Sequence, residues 1–193
     1  MVLLVVLALC AAALYFGTRA FANNNRSMKT KDGRFWYQEG ERQLRSGHPD
    51  LAVAAFRKGS VDDRNNRIYA RALAQALEMD NRELEAQELL LQERETAPEN
   101  PQINIELARI AAREHDTSEA VRYYHNALYG IWVGEEVDAQ RQAIRRELID
   151  FLIAQHAKDQ ALAEIFALAG RLPNTVAANA DLGTLFLRAG DAN

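Results

Sequence analysis

From residue 35 onward, apolar positions return every three or four residues, the spacing of one helix face, and short polar turns interrupt them. Within this pattern a small residue is followed four places on by a large one: Ala52 and Phe56, Ala86 and Leu90, Ala120 and Tyr124. Each pair lies 34 residues from the next, so the pattern is an internal repeat. Residues four apart share a helix face. The small one lets two antiparallel helices approach to roughly 8–10 Å, and the large one fills the space above it. One such hairpin cannot bury its apolar face alone, so neighbours must stack into a continuous core.

Punctuation places the elements. A first helix runs from Phe35 to about Ser46 and breaks at Gly47-His48-Pro49. Its partner starts on Pro49, carries Leu51, Ala52, Ala55 and Phe56, and is expected to end near Lys58-Gly59. Asn65-Asn66 offers the next cap, and Met79-Asp80-Asn81 a turn between paired helices. Asn100-Pro101 is a strong start signal, and Asp116-Thr117-Ser118 supplies the following turn and cap. The register then slips. Ala120 to Ala161 is 41 residues, seven more than the period, with the surplus around Tyr129 to Glu136. Glu135 and Glu136 suit the start of a helix longer by roughly two turns, reaching about Gln155. Trp132, inside the surplus, reads either as a plug for the end of the third repeat or as a partner-contacting hot spot. Pro173-Asn174 starts a last helix with Leu182, Leu185 and Phe186. The sequence stops at what resembles the turn inside a hairpin, which predicts either a fragment or a last helix that caps the stack.

The period and these residues resemble the tetratricopeptide repeat. Trp36, Gly40, Gly47, Ala52 and Phe56 match its pattern in the first copy, and Leu73-Ala74, Ala86, Leu90 and Pro98 in the second. Leu107-Ala108, Ala120, Tyr124 and Ala127 match in the third, and Leu148, Leu152, Ala161, Ile165 and Pro173 in a shifted fourth. A fifth begins with Leu182-Gly183 and Phe186. The resemblance covers about 35–193 and implies an all-α solenoid of about four and a half antiparallel helix pairs. It implies no single function, since such repeats serve many unrelated partners.

Charge and the N-terminus complete the organisation. Of 23 basic and 27 acidic residues, five basic and one acidic fall in residues 1–34, leaving 18 and 26 for the rest, a net −8. An acidic repeat body disfavours nonspecific nucleic-acid binding. The one cysteine, Cys10, excludes an intramolecular disulfide and a cysteine zinc site. Residues 1–18 carry no charged side chain, near the lower limit of the roughly 17–25 residues that span a bilayer. Residues 1–22 therefore read as a single-pass membrane anchor, with a signal peptide cleaved after Ala20-Phe21-Ala22 as the alternative. The basic residues that follow favour repeats on the cytoplasmic side. The alternative places them in the periplasm or outside the cell. Residues 23–34 are a polar basic linker, whose cations suit an anionic leaflet.

No catalytic constellation is present. His48, His115 and His156 fall in or beside turns, and His125 stands apart from them. There is no His-Glu-x-x-His, no phosphate-cradling Gly-rich loop and no Gly-x-Ser-x-Gly elbow. The expectation is a non-enzyme without cofactor or metal. In the family it resembles, the first helices of successive repeats line a groove for extended or helical peptides. That geometry implies a groove of Tyr37, Glu41, Arg71, Gln75, Ile105, Arg109, Arg113 and Arg146. Its arginines would accept an acidic segment of a partner protein, or else pair with acids of their own solenoid. Tyr37 and Glu41 stand where the Lys-Asn clamp of chaperone-tail-binding relatives would begin, which argues against that role. The chain thus reads as a membrane-tethered interaction scaffold. The alternatives are a regulatory or assembly domain of an enzyme continuing beyond residue 193, or a self-associating scaffold.

Overall fold

A computed structural model of the chain describes residues 14–16, 18–19, 32–62 and 67–190. Most of the apolar run over residues 2–18, the linker over 23–31 and the Asn65-Asn66 cap lie outside the described residues. Among the described residues no helix is long and apolar enough to cross a membrane. There, too, every regular element is an α-helix.

Helix α1 covers residues 32–45, beginning three residues before the expected start at Phe35. The others are α2 (Pro49–Asp62), α3 (Arg67–Met79), α4 (Glu83–Thr96), α5 (Pro101–Arg113), α6 (Thr117–Tyr129), α7 (Val137–Ala154), α8 (Lys158–Ala169) and α9 (Val176–Arg188). Contacts divide the described chain into two compact units, parted between Leu89 and Leu90 within α4.

The repeat is written into the backbone as well as the side chains. A residue with left-handed φ ends the first helix of each hairpin: Gly47 (76°), Asn81 (60°), His115 (61°), His156 (57°) and Gly190 (82°). Their spacings of 34, 34, 41 and 34 residues reproduce the sequence period and its one slip. At the first four, the turn amide bonds back three residues and the next amide bonds back five, as in His115 N to Ala112 O and Asp116 N to Ala111 O. This pair of bonds satisfies carbonyls that a helix end leaves open, and it turns the chain tightly into the partner helix.

The small and large positions meet as expected. Ala52, Phe56, Ala86, Leu90, Ala120, Tyr124, Ala161 and Ile165 are all at most 2% exposed. In the first unit, α1 and α2 approach so closely that a Cβ on Gly40 would lie 2.5 Å from the Phe56 ring. Gly59 does not end α2. It sits mid-helix, where a Cβ would meet Gly33 O at 3.3 Å and Trp36 Cβ at 3.5 Å. Lys58, beside it, sets its ammonium 4.1 Å from the Trp36 ring centre.

In the second unit α5 packs on α6, α6 on α7, α7 on α8 and α8 on α9. Asn100 caps α5 by accepting from the amides of Gln102 (3.0 Å) and Ile103 (3.3 Å). Asp116 caps α6 by accepting from Glu119 N at 3.0 Å, and these bonds hold its carboxyl below the usual range. The surplus residues, however, form mostly loop. Helix α7 has 18 residues against 13 in α5, and it starts at Val137 instead of Glu135. The backbone explains this: Gly134 and Glu136 take left-handed φ values of 117° and 61°, which no α-helix accommodates. Trp132 turns inward and donates Nε1 to Ala127 O at 2.8 Å, the plugging arrangement. The last helix is capped by Thr175, whose hydroxyl accepts from Ala178 N, and not by Pro173-Asn174.

Candidate functional site

The expected groove residues divide between the units. In the first, Tyr37 on α1 packs its ring 5.6 Å from Phe56 and 5.3 Å from Tyr69. Burial pushes the Tyr37 hydroxyl up, and the charge of Glu41 and a hydrogen bond to it add to the effect, while Arg71 opposes it. Glu41 also reaches Arg45 one turn on, at 3.5 Å. Arg71 and Gln75, four apart on α3, are exposed. The first unit thus brings Tyr37, Glu41 and Arg71 together at an aromatic base, with Gln75 one turn along.

The second unit treats its members differently. Ile105 is 7% exposed and belongs to the core, because it falls on the apolar stripe of α5 with Ala108 and Ala111. Arg109 donates Nε to Glu147 Oε1 (2.8 Å) and Nη2 to Oε2 (2.9 Å), a two-pronged fork. The hydroxyl of Tyr124 donates to the same Oε1 at 2.8 Å. Burial pushes the Glu147 carboxyl up, but the bonds from Arg109 and Tyr124 outweigh it and hold the group below 4.5. Burial, then the Glu147 charge, raise the Tyr124 hydroxyl. Arg146 pairs with Asp181. Arg113 is exposed and has an interaction within the chain. Arg109 and Arg146 therefore follow the alternative in which the arginines pair with the chain's own acids.

A further cluster was not among the expected residues. Arg145, on α7, is one of the two buried polar or charged side chains, the other being Asn104. It pairs with Glu164 of α8, whose other oxygen lies 2.9 Å from Nε2 of His125 on α6. The signal in the sequence was an arginine inside the apolar stripe Ile144, Leu148, Leu152, a position that requires a buried partner. Asn104 is satisfied throughout: Nδ2 donates to Pro98 O and Asn100 O, each at 2.8 Å, and Oδ1 accepts from Arg94 Nε at 3.1 Å. Among the described residues no group of His, Cys, Asp and Glu side chains could hold a metal.

No family model matches the chain, and no curated protein does. Solved structures do. PilF of Pseudomonas aeruginosa superposes with a TM-score of 0.64 at 14% identity, over 84% of this chain and 71% of that one. MamA gives 0.60 at 14%, over 83% and 84%. YrrB, described as a TPR protein with an unusual peptide-binding site, gives 0.56 at 15%, over 91% and 84%. At such identities the likeness concerns architecture, and it agrees with the 34-residue turn spacing: the chain has a tetratricopeptide-type helical repeat fold.

Proposed function

We propose that this chain is a non-catalytic protein-interaction scaffold, held at a membrane through residues 2–18, with its repeats on the cytoplasmic side. The observation that carries the recognition role is the face of α1 and α3 in the first unit. Tyr37 offers a half-buried ring there, Arg71 and Gln75 remain exposed, and the ring is anchored on Phe56 and Tyr69. Rigid aromatic surface beside an exposed guanidinium is the composition of a recognition hot spot. The likeness to YrrB, with its peptide-binding site, supports the same reading. Because Arg109 and Arg146 are paired, the acid-accepting role on these helices narrows to Arg71. The uncharged run of residues 1–18 and the basic residues after it support the tether and its orientation.

Affinity capture from detergent-solubilised membranes tests this, with the full-length chain as bait. The expected result is a protein partner whose recovery falls about fivefold with Arg71→Glu. Recovery unaltered by that change, or no partner at all, contradicts the reading.

Self-association is the second reading, and α9 favours it. Val176 (88%) and Leu187 (65%) are exposed there, and Phe166 of α8, 62% exposed, stacks 5.1 Å from Phe186. A light-scattering mass that stays monomeric as concentration rises rules it out.

A further inference from the structure

Where the repeat slips, the end of α6, the first turns of α7 and the residue beyond the α8 cap enclose a cleft of about 310 Å³. Its lining includes Tyr129, Asp138, Arg141, Gln142, Arg145 and Arg171. Three guanidiniums thus share the lining with one carboxylate. Arg145, its side chain 6% exposed, is already neutralised by Glu164. The other two are not. Arg141 donates Nη2 to Gly130 O at 3.3 Å, and its buried Nε has no hydrogen-bond partner. No carboxylate lies within ion-pairing distance of Arg141 or Arg171 among the described residues. The result is uncompensated positive charge in a repeat body that carries −8 overall.

The insertion also determines what lies beside that charge. Residues 131–133 run without helix, so alternate side chains face opposite ways. Trp132 turns inward to Ala127 O, while Ile131 and Val133 are 64% and 90% exposed. Tyr129, at the cleft rim, is 70% exposed. The segment is fixed in place by Ile131 N donating to Glu99 O at 2.9 Å and by Gly130, where a Cβ would lie 2.6 Å from that same oxygen. Surface apolar residues are usually scattered singly, and three at alternate positions on a fixed segment mark a contact surface.

We infer that this cleft is a second recognition site, for an acidic and apolar segment of a partner protein. Arg141 and Arg171 take a Glu or Asp carboxylate, and Tyr129, Ile131 and Val133 take the apolar residue beside it. Charge complementarity selects this occupant: planar guanidinium forks bind carboxylates, and a basic or purely apolar segment would leave both arginines unpaired. The site stands apart from the face around Tyr37 and Arg71, and neither depends on the other.

Fluorescence anisotropy with the full-length chain tests it. The probe is a labelled, acetylated decapeptide of alternating Glu and Leu, and the control replaces each Glu by Gln. The Glu peptide should bind about tenfold more tightly than the control. Arg171→Glu should weaken it about tenfold, and Tyr129→Ala and Arg141→Lys about threefold each. Arg57→Glu, the same charge change on exposed α2, should alter it less than about twofold. Arg171 is exposed, so its replacement leaves the helical circular dichroism unchanged, and Arg141→Lys keeps the charge while removing the fork. Equal binding of the two peptides, no binding of either, or equal losses from Arg171→Glu and Arg57→Glu would overturn the inference.

Discussion

Two adjacent hairpins of the second unit, α5–α6 and α7–α8, are built on one plan and differ at one end. Both carry the small and large pair, and both turn through a left-handed histidine, His115 or His156. In α5–α6 each helix start is capped by a side chain, and the one buried amide, Asn104, has all its bonds. In α7–α8 neither helix start has a side-chain cap, Glu136 sits in a left-handed conformation, and a buried arginine depends on Glu164. The regular hairpin spends its polar groups on its own backbone. The irregular one leaves donors directed at a cleft. Features that stabilise and features that recognise have thus been separated by an insertion of seven residues.

The contrast can be broken by substitution. The largest effect is expected at Asn104→Ala, which leaves Pro98 O and Asn100 O without their partner and frees Arg94. Urea unfolding should show a loss of about 3 kcal/mol. Next is Glu147→Gln, which weakens the fork from Arg109 and should cost about 1.5 kcal/mol at neutral pH. Its pH dependence has a definite sign. The folded carboxyl lies below its ordinary 4.5, so its stabilisation is fully present above that value and is lost as pH falls through the lower folded value. The gap between the wild-type and Glu147→Gln unfolding midpoints should therefore be constant above about pH 5 and close below it. A gap that widens with acid would contradict the placement of Glu147.

Smaller effects sharpen the same comparison. Asn100→Ala removes a cap that serves two amides and should cost about 1 kcal/mol. Glu136→Gly stands at the equivalent helix start of α7 yet should be neutral or stabilising by a few tenths of a kcal/mol, because it relieves left-handed backbone without losing a cap bond. Thermal denaturation of the two variants side by side checks the opposite signs.

Much of the fold was legible in the sequence because the repeat repeats its reasons. The pairs Ala52–Phe56, Ala86–Leu90, Ala120–Tyr124 and Ala161–Ile165, and the signals at Gly47, Asn81, Asn100 and Asp116, are local and recur at a fixed spacing. The misread details are those in which tertiary contact overrides a local signal. Gly59 looked like a helix end but serves the close approach of α1. Ile105 was placed in a groove by analogy of position, while the apolar stripe of α5 takes it into the core. The site was less legible. Periodicity indicates which helix face a charge occupies, but not that Arg109 meets Glu147, 38 residues on, or that His125, Arg145 and Glu164 converge across three helices. The path of the insertion, set by Gly130, Gly134 and Glu136, brings Tyr129 beside Arg141 and Arg171, and no repeat pattern encodes it.

Hydrogen exchange of the full-length chain, with and without the Glu–Leu decapeptide, tests most directly whether recognition falls on the departure from the repeat. The account predicts slowed exchange in residues 129–145 and around Arg171, with Pro101–Arg113 unchanged. Slowing confined to Pro101–Arg113, with the insertion unaffected, would contradict it.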